Sequence, residues 1–163
     1  MLRGTAVSHA INVWTDGACE PNPGVGGWGY VIQVGADVAE RFGGEQQTTN
    51  NRMELTAVLM ALSALADDAQ AMLYSDSTYV VNGLTIWRTR WRKRGWCKKT
   101  GEPMPNRYLW LLLEAQLQRV PGARLCWVRG HNGDPGNERA DALAASGRAG
   151  AVACIETSNG KRP

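Results

Sequence analysis

Polar and apolar residues alternate along the first part of the chain, and then the period lengthens. Over 11–16, Ile11, Val13 and Thr15 fall on one side and Asn12, Trp14 and Asp16 on the other, which predicts a strand ending at Asp16. A turn is expected at Glu20-Pro21-Asn22-Pro23-Gly24. Alternation resumes over 27–34 through Trp28, Tyr30, Ile32 and Val34, and a weaker third strand is expected around 37–43. Strands joined so closely pair antiparallel. The spacing then becomes helical. Met53, Ala57, Met60, Ala61 and Ala64, with Leu55, Val58, Leu59, Leu62 and Leu65, predict a helix of about 15 residues. It is apolar over most of its girth and is expected to pack on a sheet.

Beyond it the pattern predicts a short strand at 71–75 ending at Asp76 and a helix over 77–87. The basic stretch 88–102 interrupts. A helix from Arg107 to Arg119 follows, stopped by Pro121-Gly122. A last strand at 124–129 and a helix from Asn137 to Gly147 complete the set. Hairpin-linked strands followed by alternating helices and strands make an α/β fold with a mixed sheet. Residues 1–147 read as one domain, and 148–163 as a flexible C-terminal tail.

Composition changes this picture little, and charge distribution changes it more. The 163 residues suit one domain, and 44% hydrophobic with 20% charged residues is ordinary for a globular chain. The net charge of +3 conceals an asymmetry. Between Ser77 and Gly101 there is no acidic residue, but there are Arg88, Arg90, Arg92, Lys93, Arg94, Lys98 and Lys99. The remainder is net acidic. Cys19, Cys97, Cys126 and Cys154 lack the spacing of a zinc site. No secretory leader and no membrane-spanning run is visible, so a cytoplasmic protein with no membrane association is expected.

Four carboxylates carry the chemistry. Asp16 lies in Thr15-Asp16-Gly17, Glu54 in Asn50-Asn51-Arg52-Met53-Glu54-Leu55, Asp76 in Ser75-Asp76-Ser77 and Asp141 in Asn137-Glu138-Arg139-Ala140-Asp141. Each has a structural alternative: Asp-Gly starts turns, Asn51 and Glu54 fit a capping box, Asp76 could cap the next helix, and Asp141 could be a solvated helical residue. Carboxylates gathered in one cleft repel and attract hard divalent cations, a setting for phosphoryl chemistry. His131, in the flexible loop Gly130-His131-Asn132-Gly133, is a candidate proton shuttle, with an ordinary surface histidine as the alternative. His9 reads as incidental. Gly24-Val25-Gly26-Gly27-Trp28-Gly29 fits a dinucleotide fingerprint literally, but a strand follows where a helix is required, so these glycines are expected to serve a hairpin. Trp87, Trp91 and Trp96 interleave with Arg88, Arg90, Arg92, Lys93 and Arg94, which points to nucleic acid: cations track phosphates, and aromatic faces pack on sugars or bases. Some of these tryptophans could instead anchor the segment to the body.

Together these strings resemble the bacterial type 1 ribonuclease H family. Asn22-Pro23-Gly24, Thr48-Thr49-Asn50, Asp76-Ser77-Thr78-Tyr79-Val80, Trp91-Arg92-Lys93-Arg94-Gly95-Trp96 and Gly130-His131 all fall in the family's order, from about 11 to 147. The resemblance implies a five-stranded mixed sheet flanked by helices and cleavage of the RNA strand of RNA/DNA hybrids by a monomer. It implies two magnesium ions, for which manganese can substitute, at Asp16, Glu54, Asp76 and Asp141. His131 would assist turnover. Asn22, Asn50, Asn51, Thr78 and Asn137 would contact the hybrid. Thr78 stands where some members carry a longer Gln. Residues 87–99, with Trp87, Trp91, Arg92, Lys93, Arg94 and Trp96, would form the basic handle that some members use to grip DNA. Two rival readings are a related-fold, metal-dependent DNA nuclease or transposase and a non-catalytic hybrid-binding module. The handle and His131 speak against the first, and the full set of carboxylates against the second.

Overall fold

A computed structural model describes residues 10–159, so His9 lies outside the described residues. Five strands form one mixed sheet in the order β3-β2-β1-β4-β5. They are β1 (Ile11–Cys19), β2 (Gly24–Val34), β3 (Asp37–Thr48), β4 (Ala71–Ser75) and β5 (Ala123–Trp127). The first three pair antiparallel as a meander, and β4 and β5 join parallel to β1. Helices α1 (Asn50–Ser63), α2 (Thr78–Asn82), α3 (Arg88–Lys93), α4 (Arg107–Arg119) and α5 (Pro135–Asn159) cover the sheet, with a π-helical turn at Gly83–Trp87 between α2 and α3. None of the described helices is long and apolar enough to cross a membrane.

Strand alternation decides which helix lies on which face. Val13, Thr15 and Tyr30 face α1, and Val13 and Tyr30 join a core with Leu55, Val58, Leu62, Leu73, Val80, Leu84, Trp110 and Leu113. Trp14 faces the opposite way, against Gly136 at the start of α5. Helix α5 lies so close to β2 and β3 that a methyl group at Gly27 would run into the backbone of Ala144, Gly147 and Arg148. The glycine run of β2 is therefore strand, as expected, but it accommodates α5 as well as a hairpin.

Trp110 is the keystone on the α1 side. Its ring is fully buried and meets Tyr79 at 5.3 Å and Trp91 at 5.0 Å between centroids, both edge-on. Truncation to Trp110→Ala should lower unfolding free energy by roughly 3–5 kcal/mol, measured by urea denaturation. A loss under about 1 kcal/mol would show that the neighbours refill the space.

Several expected boundaries shift. Strand β1 runs past Asp16 to Cys19, because Gly17, Ala18 and Cys19 still pair with β2. Strand β3 continues to Thr48. The basic segment does not break the chain at Arg88. Helix continues through α3 to Lys93, since no Gly or Pro intervenes, and stops where Gly95 takes a positive φ of 62°. The expected tail is helical to Asn159. Gly147 reads as a helix stop but is a point of contact, because any side chain there would strike the backbone of Gly43. The alanines after it sustain the helix.

Candidate active site

The parallel ladder between β1 and β4 ends at the pair Thr15–Ser75. Asp16 and Asp76 are the next residues of each strand, so two adjacent strands deliver two carboxylates side by side. The carboxyl ends of parallel strands are where open α/β sheets build sites. Glu54 arrives from α1. Thr49 caps that helix, its hydroxyl accepting the Arg52 backbone N–H at 3.2 Å, and Asn22 Oδ1 accepts the Asn50 N–H at 3.1 Å. Thr49 thus does the capping, and Glu54 is free of the capping-box role. Gly17 sets the approach: a methyl there would collide with the backbone of Met53 and Glu54. Only a residue without a side chain lets α1 bring Glu54 against β1.

One oxygen from each of Asp16, Glu54 and Asp76 lies within 4.8 Å of the others. Asp16 and Glu54 are buried. The Asp16 carboxyl is pushed up to about 8, first by burial and then by the charge of Asp76, against the opposing hydrogen bond from the Gly17 N–H at 2.8 Å. Burial and the charges of Asp16 and Asp76 likewise raise Glu54. Glu54 Oε2 is buried without a hydrogen-bond partner. An all-oxygen donor set, mutual repulsion and an orphaned acceptor are what a hard divalent cation would satisfy.

Asp141 stands at the rim on α5, outside this close triad. Its side chain is 45% exposed, with Oδ2 4.0 Å from His131 Nδ1, too long for a hydrogen bond. The His131 side chain is 77% exposed, and its backbone takes a positive φ of 52°. Gly130 leaves room for the Asp76 carboxylate, which any side chain at that position would strike. Asp76 does not cap α2; Ser77 does, accepting the Val80 N–H at 3.3 Å. All four carboxylates, His131 and Asn50 line one open cleft of about 380 Å³.

Other expected contacts divide. Asn22, Asn51 and Thr78 are exposed. Asn137 is not an available surface contact: at 2% exposure it is buried where α5 begins, with Asp134 Oδ1 accepting its backbone N–H. In the handle, Trp96 is only 5% exposed, so its face is closed to a base or sugar. Trp96 packs on Trp91, Trp91 on Trp110, and Trp87 on Trp91, a chain of rings leading into the core. These tryptophans anchor the segment. Arg88 and Arg92 both bridge the buried Glu114, at 3.3 and 3.1 Å, and Arg94 Nε is buried. Among the described residues, the handle cations turned outward without an ion-pair partner are Arg90, Lys93 and Lys99.

Sequence reasoning missed Gly17 and Gly130 as spacers and Arg148 as a cleft residue. Arg148 lies seven residues after Asp141 and so shares its helix face; the early stop assigned at Gly147 concealed this.

An antiparallel meander extended by two parallel strands thus carries Asp16 and Asp76 at adjacent strand ends, with Glu54 set against them from α1. The RNase H family model matches residues 8–149. Ribonuclease H of Acidovorax sp. (strain JS42) is 53% identical over 141 residues, covering 85% of this chain and 95% of its own. Ribonuclease H of Bordetella avium (strain 197N) is 50% identical over 137 residues, covering 84% and 89%. The crystal structure of LC9-RNase H1, a type 1 RNase H with the type 2 active-site motif, superposes with a TM-score of 0.71 at 30% identity, covering 88% of this chain and 74% of that one. The chain belongs to the ribonuclease H family, enzymes that cleave RNA in RNA/DNA hybrids.

Proposed function

We propose that the chain is an endoribonuclease that hydrolyses the RNA strand of a hybrid with two magnesium ions, leaving 5′-phosphate and 3′-hydroxyl ends. The observation that carries this reading is the triad of Asp16, Glu54 and Asp76 oxygens within 4.8 Å of one another, with two of the three carboxyls raised. These three residues and Asp141 would hold the ions. Bound magnesium would supply the charge that activates water and stabilises the departing 3′ oxygen. His131, exposed at the rim beside Asp141, exchanges a proton with the reacting oxygens or the departing product. Asn50 and Asn51 offer small hydrogen-bonding groups to the 2′-hydroxyl that distinguishes the cleaved strand. Asn22 and Thr78, both exposed, would contact the same groove. One copy carries all four carboxylates and the handle, which favours a working monomer.

Titrating magnesium into metal-free protein should raise its Tm, because a ligand that binds only the folded state stabilises it. Analysis of end-labelled products should find a 5′-phosphate on the downstream fragment. Ends of the opposite kind, or an unchanged Tm at millimolar magnesium together with metal-independent cleavage, would overturn the reading.

The handle makes a separate prediction. Each phosphate contact contributes roughly 0.9 to the slope of log K against log salt on duplex DNA. Replacing Arg90, Lys93 and Lys99 together by Ala should weaken hybrid binding, raise KM and flatten that slope. Arg92→Ala should instead lower stability more than salt slope, because it strips a partner from buried Glu114. A triple variant with wild-type Kd and slope would reduce the handle to a solvated surface.

A further inference from the structure

The cleft is lined by acidic and neutral residues, with one exception. Among its lining residues Arg148 is the sole Arg or Lys, set against Asp16, Glu54, Asp76, Asp141 and Glu20. Its guanidinium forms no ion pair among the described residues. Its partner is neutral: Arg148 Nη1 donates to the Glu20 backbone carbonyl at 3.0 Å. That bond ties α5 to the turn after β1 and holds the side chain at the cleft while leaving its other N–H groups free. Asp141, Ala145 and Arg148 follow each other at i, i+4 and i+7 on one face of α5, and all three line the cleft. Seven helical residues advance about 10 Å along the axis. The short Ala145 side chain leaves the floor between the two ends open.

We propose that Arg148 binds a backbone phosphate of the RNA strand beside the cleaved bond and fixes the strand's register over the carboxylates. The inference rests on the hybrid-cleaving reading and deepens it. A polyanion entering an acidic cleft needs compensating charge, and a guanidinium fork is suited to a phosphate's paired oxygens. Held by a backbone carbonyl, this fork is preorganised and loses little freedom when it engages.

The test uses Arg148→Gln, which keeps a donor for the Glu20 carbonyl but removes the charge, together with Arg148→Lys. The Gln variant should raise KM for a hybrid roughly tenfold, the loss of one charge-assisted contact. It should lower the salt slope by about 0.9, with kcat at saturation changing little. The Lys variant should recover the slope and only part of the affinity. On hybrids whose RNA ends progressively closer to the cleaved bond, the ratio of Gln-variant to wild-type KM should collapse to unity once the contacted phosphate is gone. Unchanged KM and salt slope in the Gln variant would overturn the proposal and leave Arg148 as a structural tie, whether or not Tm falls. A ratio that stays constant under truncation would also overturn it. Wild-type protein that cleaves no hybrid would strike the underlying reading instead, so the two failures are distinct.

Discussion

Asp16→Asn should reduce hybrid cleavage by on the order of a thousandfold or more while preserving the fold and hybrid binding. Asp16 is one of the two buried members of the carboxylate triad, and an amide oxygen without charge is a poor ligand for a hard cation. The same change should stabilise the metal-free protein. A carboxyl raised to about 8 in the folded state but ordinary in the unfolded chain binds more protons when folded between pH 4 and 8. Its folded state therefore loses stability as pH rises through that window, and the penalty is complete above pH 8. Asn at this position removes the penalty. The Tm advantage of Asp16→Asn should accordingly be several degrees at high pH without metal, shrink as pH falls and vanish below about pH 4. Magnesium should narrow the gap at high pH by stabilising only the wild type. Magnesium-dependent turnover within tenfold of wild type in the purified variant would remove Asp16 from the site.

His131→Ala should lower kcat by about tenfold to a hundredfold and leave KM nearly unchanged. His131 sits on a loop with positive φ at His131 and Gly133, exposed at the rim and near Asp141 without bonding to it. Such a group can reach the reacting atoms and withdraw, which suits proton exchange or product release and contributes little to substrate affinity. The loop is exposed, so Tm should be unaffected. An unaltered kcat at saturating substrate would return His131 to the solvated surface.

Asp16 and Asp76 are carboxylates that local pattern alone places at strand ends, whereas Glu54 and Asp141 were gathered with them only by the family resemblance. Asp76 follows a five-residue strand, and Asp16 follows an alternating run. That β1 continues beyond Asp16 was not legible, since its extension depends on pairing with β2 across a turn. Trp96 and Asn137 show the opposite failure. Nothing in a basic, tryptophan-rich string says which ring turns inward, and only packing against Trp91 and Trp110 decides it. Asn137 lies one helical turn from Asp141 on the same helix, yet one is buried and the other stands at the rim. Glycine was the most misleading residue. Gly147 reads as a helix end and the β2 glycines as hairpin residues, whereas Gly27 and Gly147 let β2, β3 and α5 approach within backbone contact. Close approach between distant segments leaves no periodic trace, which is why Arg148, beyond that glycine, escaped notice.

The clustered carboxylates are proposed to direct metal-dependent hydrolysis to the RNA strand of a hybrid. Purified protein with magnesium should be offered three strand-labelled duplexes of one sequence: RNA/DNA hybrid, double-stranded RNA and double-stranded DNA. Only the RNA strand of the hybrid should be cleaved, with activity lost on chelation and restored by magnesium. Cleavage of the DNA strand, comparable cleavage of either homoduplex, or hybrid binding without any cleavage would contradict it.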